Sequence, residues 1–458
     1  MFRIGNCAGF SGDRVDAPEP VVDTLIARGG PSAIFFEVLG ERTVALAHLE
    51  KRRNPAGGFE PMLERLLEPI LAKCVANDIA IIGNFGGANP WGAARLIATL
   101  AERLGIPDLR IGVVEGDDIR DRIAGADLEV YEADASLDPR GKDVLAANVY
   151  LGAEPMVEAL AAGAQVVVCG RTGDPALALA PLMHHFGWRT DDWPILAAGT
   201  SAGHLLECGA QITGGVFYDP GFKDIPDPAN IGFPIAEVSA DGGMVITKAD
   251  HTGGLVSLQT VKEQLLYEVH DPACYITPDV VIDFTDVTLE DLGGDRVRVN
   301  GINGHQRPEK LKALLSYEGG WLGEGEVSFA GPNCLARARS AAEVLRERVR
   351  RRGLKVSAVR VDLIGVASVH DSDDGSLWRS FDGPEPTDIR VRLAVAADAR
   401  DDAEQASREA LALLCCGPAG TCGARWHVTP RINTQSFLVP RDFVETRVSV
   451  RTAKEIDT

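Results

Sequence analysis

The chain has no apolar run near the ~20 residues that a bilayer-spanning helix needs. It has no Cys-x-x-Cys pair either, and its nine cysteines are scattered. The first absence speaks against a helical membrane protein, the second against a disulfide framework or a thiolate metal site; the thiols are expected to be reduced. Positive charge is scarce: 46 Lys and Arg face 66 Asp and Glu, a net charge of −20. Nucleic acid and anionic membranes are therefore not expected as partners. Neither Gly-x-Gly-x-x-Gly nor a phosphate-loop Lys-Ser/Thr signature occurs, which makes NAD or ATP chemistry a second choice. The N-terminus lacks a basic segment followed by an apolar core and a small-residue cleavage site, so a cytoplasmic location is expected.

What is present is a series of polar, Gly-rich stops, each where an apolar strand-like run should end. Ile4 leads into Gly5-Asn6 and then Gly12-Asp13-Arg14; 79–82 leads into 83–90; 111–114 leads into Glu115-Gly116-Asp117-Asp118; 166–168 leads into Cys169-Gly170-Arg171 and Asp174-Pro175. In open parallel α/β sheets ligands bind at the carboxyl ends of strands, where such loops converge. Residues 1–190 alternate strand signals (2–5, 33–38, 79–83, 110–114, 147–151, 165–169) with helix signals, including one at 117–124. They read as an α/β ligand-binding domain, an open parallel sheet with flanking helices. Residues 191–323 read as an α+β middle region, with a helix over 194–208, a hairpin of 234–239 with 244–248, and strands at 280–287 and 311–317. Residues 324–458 offer strand 324–330, helix 333–352, strands 356–365 and 388–396, helix 401–415 and strand 443–451. That order is β-α-β-β-α-β, a ferredoxin-like part.

Chemistry-bearing residues cluster at the stops. Asn6, Asp13 and Arg14 crowd the first, where the alternative is a turn with a capping aspartate. Asn84, Gly86, Gly87 and Asn89 form a loop whose backbone N–H groups, with a helix starting near Pro90, suit a carboxylate or phosphate; a structural turn is the alternative. Glu115, Asp117 and Asp118 could hold Mg²⁺ or one raised-pKa acid, or stabilise a helix first turn. Arg171 could clamp a substrate carboxylate and Asp174 could cap the next helix. His204 lies three residues before Glu207 on one helix face, and Glu268 with His270 forms a second acid–histidine pair; both suit general acid–base work or an ordinary polar contact.

These stretches resemble the AtuA-type acyclic terpene utilisation family, once a domain of unknown function. The resemblance is carried by Arg3-Ile4-Gly5-Asn6 with Gly12-Asp13-Arg14, by Asn84 with Gly86-Gly87-Ala88-Asn89-Pro90, and by Val114-Glu115-Gly116-Asp117-Asp118. It continues through Cys169-Gly170-Arg171 with Asp174-Pro175, Ala202-Gly203-His204, Gly221-Phe222-Lys223-Asp224 and Tyr267-Glu268-Val269-His270-Asp271-Pro272. It implies breakdown of acyclic terpene or branched-chain carboxylates through acyl-CoA intermediates, with CoA as part of the substrate. Some members carry an extra ferredoxin-like domain at the C-terminus, which raises a separate small ferredoxin-like subunit as a partner; a homo-oligomer is also expected. Acid–base chemistry of the hydratase or lyase type suits the residues best. A noncatalytic accessory or ligand-binding subunit, or an NAD-linked oxidoreductase, are the alternatives.

Overall fold

The computed structural model describes residues 1–125, 128–131 and 144–456. The chain divides into two compact units, Met1–Ser316 with Thr434–Thr458, and Tyr317–Asn433.

In the first unit β1 (Phe2–Ala8), β2 (Ser32–Phe36), β3 (Ala80–Gly83) and β4 (Arg110–Glu115) run parallel, with the strand Val166–Val168 inserted between β3 and β4. All five residues of β2 are buried, as expected of a strand covered on both faces. Side chains alternate across the sheet: Ile34 and Phe36 join one apolar core with Val21, Ile97 and Val168, while Phe35 joins another with Ile82, Leu177 and Leu179. Helices Pro18–Arg28 and Pro90–Arg103 supply the first core, and Ala176–Phe186 and Trp193–Leu206 the second.

The expected hairpin is present as Pro234–Val238 with Met244–Lys248. It does not begin a separate region, because Pro234–Val238 pairs antiparallel with β1. Val297–Asn300 and Thr288–Asp291 extend the same edge. Among the described residues the sheet is thus mixed and ten-stranded: the first strands of the 191–323 stretch found an open edge on β1.

Four further expectations need correction. The strand expected at 443–451 is Arg447–Thr452, and it pairs antiparallel with β4 instead of joining the C-terminal part. The strand expected at 147–151 lies at Val144–Val149 and pairs with Lys310–Ala330, outside the ten-stranded sheet. At 117–124 only a short 3-10 segment forms, Arg120–Gly125, since Asp117 and Asp118 are drawn into contacts with Val149 and Asn148. Finally, 311–317 and 324–330 are parts of one strand, Lys310–Ala330, which runs on through Gly319 and Gly320, with Gly320 at φ 81°, a conformation open to glycine.

In the second unit the strand order is Val356–Ile364, Asp388–Ala397, Lys310–Ala330 and Cys422–Pro440. Helices Cys334–Arg352, Arg400–Ser407 and Glu409–Cys416 pack on it through Val327, Phe329, Leu345, Leu393 and Leu413. Its fourth strand is Cys422–Pro440, not 443–451. No helix among the described residues is long and apolar enough to cross a membrane.

Gly203, in helix Trp193–Leu206, lies against the turn that follows Val166–Val168: a Cβ there would stand 2.6 Å from the Pro175 Cα. Backbone cannot yield cheaply, so Gly203→Ala is expected to cost about 1–3 kcal/mol. A lower urea midpoint at unchanged slope would register it.

Candidate active site

The carboxyl ends of β1, β2, β3, β4 and Val166–Val168 present their loops together. The loop after β3 and the loop after Val166–Val168 interlock through backbone: Gly86 N donates to Cys169 O at 3.0 Å, and Cys169 N to Gly83 O at 3.0 Å. A Cβ on Gly86 would come within 2.6 Å of the Cys169 carbonyl oxygen, so the approach requires glycine.

Arg171 emerges from this interlock and is only 1% exposed. Its guanidinium donates to Leu39 O at 2.5 Å, pairs with Asp174, and stands 3.8 Å from Glu37 Oε1. Its Cζ lies 4.0 Å from the centre of the Tyr150 ring. Glu37 sits just beyond β2, where Asn84 Nδ2 (2.8 Å) and Leu39 N (3.1 Å) donate to its Oε1, while Asn84 Oδ1 accepts from Val38 N. Glu41 accepts from the Tyr150 hydroxyl at 2.5 Å. Asp117 accepts from Arg171 N at 2.7 Å and from Asn148 Nδ2 at 2.8 Å.

Beside this network lies a cavity of about 590 Å³, lined by Asp13, Arg14, Glu37, Glu41, Arg42, Asp174, Glu207 and Glu268 among others. Its carboxyl groups are set apart by environment. Burial, then the nearby Asp174 charge, pushes Glu37 up to about 8 against the pull of Arg171 and Asn84. Burial, then Asp174 and Glu268, carries Glu207 well above the usual carboxyl range, and burial raises Asp13. Glu41 goes the other way: burial opposes ionisation, but Arg171 and the Tyr150 hydroxyl outweigh it and bring it down to about 2. Carboxyl groups pushed apart in this way are what acid–base assignments are built from.

Of the residues singled out in the sequence, Asp13, Arg14, Asp174 and Glu268 line the cavity. Asp13 accepts from Gly9 N and Arg14 N, while Arg14 donates to Asp16 and to Ile231 O. Asn6, Asn84, Asp117 and Arg171 form the buried layer around it; Asn6 Nδ2 donates to Glu207 O at 3.2 Å. The 83–90 loop offers no free cradle of N–H groups: Gly86, Gly87, Ala88 and Asn89 each donate to a protein carbonyl. Asn89 caps helix Pro90–Arg103 through Gly92 N and binds Gly57 O. Glu115 stands in the β4 ladder opposite Arg447, and Asp118 is exposed. His204 is buried off the cavity, and His270 is exposed. Among the described residues no three His, Cys, Asp or Glu side chains cluster in a way that could hold a metal ion. Sequence reading missed Glu37, Glu41 and Arg42 altogether. One signal was available for Glu37: a lone carboxylate inside the apolar run Ile34-Phe35-Phe36-Glu37-Val38-Leu39, at the end of a buried parallel strand.

The chain is thus a mixed α/β protein: a parallel sheet extended by antiparallel strands at both edges, with an acid-lined cavity at the strand ends. The family model described as acyclic terpene utilisation family protein AtuA matches residues 2–450, so the chain belongs to that family, which ties it to acyclic terpene utilisation. Comparison with curated proteins and with solved structures gave no match.

Glu37 has a folded pKa of about 8 against an ordinary 4.5. Between those values the native state keeps a proton that the unfolded chain has lost. The contribution of Glu37 to stability is therefore greatest below the unfolded value and falls as pH rises toward 8. Glu37→Gln removes this slope. The stability of the variant relative to wild type should rise across that window, by at most about 1.4 kcal/mol per pH unit, and level off above it. Urea titrations over pH measure this; a constant difference at every pH would show that Glu37 does not hold the proton.

Proposed function

We propose that the protein is an enzyme of acyclic terpene or branched-chain carboxylate degradation that carries out hydratase- or lyase-type acid–base chemistry on a carboxylate or its CoA thioester. The observation that carries the reading is one cavity holding two carboxyl groups in different surroundings: Glu37, raised to about 8, and Asp174, paired with the buried Arg171.

In a dehydration Glu37 gives its proton to the departing hydroxyl as the C–O bond breaks. Asp174 takes the proton from the neighbouring carbon, and the C–H electron pair forms the double bond. Water leaves with the Glu37 proton, and the reverse sequence is hydration. A general acid with a pKa near the working pH is the efficient choice. Arg171 does not meet the substrate in this reading: its partners are Asp174, Glu37 and Leu39 O, and it fixes both acting carboxyl groups. The substrate carboxylate or CoA phosphates fall to Arg42, an exposed cavity residue in the first turn of helix Glu41–Arg53, for which no ion pair is found among the described residues.

Branched 3-hydroxyacyl-CoA and 2-enoyl-CoA thioesters, followed by mass spectrometry for gain or loss of water and for chain cleavage, test this directly. Glu37→Gln should lower kcat by roughly 10²–10⁴-fold, the span of a lost general acid, with KM little changed. Arg42→Ala should raise KM and spare kcat. Normal turnover by Glu37→Gln, or no reaction of wild type with any of these thioesters, removes the reading.

A further inference from the structure

His204 does not line the cavity, yet its ring is placed with unusual constraint. It is 1% exposed, with its centroid 4.9 Å from that of Tyr275 and 5.9 Å from that of Phe284. Its Nε2 lies 3.1 Å from Leu265 O. A carbonyl oxygen can only accept, so this contact puts the ring proton on Nε2. Nδ1 is then a bare lone pair in a neutral ring. It makes no hydrogen bond, and Glu207 Oε1 stands 3.4 Å away. Glu207 is itself 7% exposed, and its Oε2 is also buried with no partner. A buried carboxylate with an unsatisfied oxygen facing a bare nitrogen lone pair is doubly unfavourable. One proton on Oε1 removes the buried charge and the clash of lone pairs, and leaves Oε2 a neutral oxygen, cheaper to bury without a partner.

We propose that His204 is a positioning residue that holds the Glu207 carboxyl protonated, with the proton turned toward Nδ1, so that the cavity meets Glu207 as a hydrogen-bond acceptor. The inference rests on reading the cavity as an acid–base site. The ligand group opposite Glu207 is then a donor, a hydroxyl or a water, and not a carboxylate. The 3.4 Å gap closes by a few tenths of an ångström to make the bond, as unliganded sites commonly do on binding. The charges around the pair act in the same direction. Asp174 and Glu268 face Glu207 and disfavour a further negative charge, Arg171 opposes them, and Tyr275 and Cys208 stand by with their own protons held by burial. Burial brings His204 down to about 4, which keeps the ring neutral.

Two measurements on the full-length protein test the assignment without any turnover. ¹⁵N NMR of wild type at neutral pH should find Nε2 protonated and Nδ1 bare. Infrared difference spectra, wild type minus Glu207→Gln, should show a protonated carboxyl band at a hydrogen-bonded frequency. His204→Leu should shift that band toward a free acid, and His204→Asn, whose amide can accept where Nδ1 stood, should restore it. An ionised Glu207 at neutral pH, a proton on Nδ1, or a band unmoved by His204→Leu overturns the proposal. Because none of these signals needs substrate, they stand or fall separately from the hydratase or lyase reading, which is decided by turnover measurements.

Discussion

A guanidinium buried to 1% exposure beside two acids is the contact on which the site's order depends. Removing such an ion from water costs several kcal/mol, and only good geometry with further hydrogen bonds offsets it. Arg171 obtains that geometry from four residues: Asp174 in its own loop, Leu39 and Glu37 beyond β2, and the ring of Tyr150 after Val144–Val149. Each fixes the ion, and the ion in turn fixes each. The spread of carboxyl pKa values follows from this arrangement. Glu41, drawn down by Arg171, the Tyr150 hydroxyl and the nearby Lys312, and Glu37, crowded by burial and Asp174, differ because Arg171 is shared unequally among several acids.

The carboxyl-end rim of the sheet was legible in the sequence because its loops carry glycine and asparagine at strand ends, for reasons local to each turn. Gly86 permits the approach to Cys169 O, and Asn84 bridges Glu37 and Val38. What each side chain does there was less legible. Asn84, Asn89 and the N–H groups of Gly86, Gly87, Ala88 and Asn89 are spent on protein carbonyls, amides and carboxylates, and nothing in the spelling of that loop separates a cradle for a ligand from a brace for the fold. Arg171 was readable as an important cation, but not as one already neutralised by Asp174 three residues on.

The long-range partners were beyond local patterns. Arg447–Thr452 alternates as any edge strand does, and only its register with β4 shows which sheet it completes. Lys310–Ala330 reads as two strands because Gly319-Gly320 has the composition of a turn, while pairing with Asp388–Ala397 from Trp321 onward carries it straight on. Glu37 was hidden for the opposite reason: one acid within an apolar run looks like a strand end, and its partners come from residues 84 and 171.

The last strand of the ten-stranded sheet has a consequence for how the protein is made. Residues 434–458 belong with 1–316, while 317–433 form a unit of their own. During synthesis β4 therefore leaves the ribosome more than three hundred residues ahead of the segment that pairs along it. Throughout that interval β4 presents an open row of backbone donors and acceptors, the kind of edge that recruits strands from other chains. The unit 317–433 has all its own strands before that neighbour appears. The nascent protein thus passes through a stage in which its second unit can be folded and its first is still unsealed, a stage at which chaperone protection counts most.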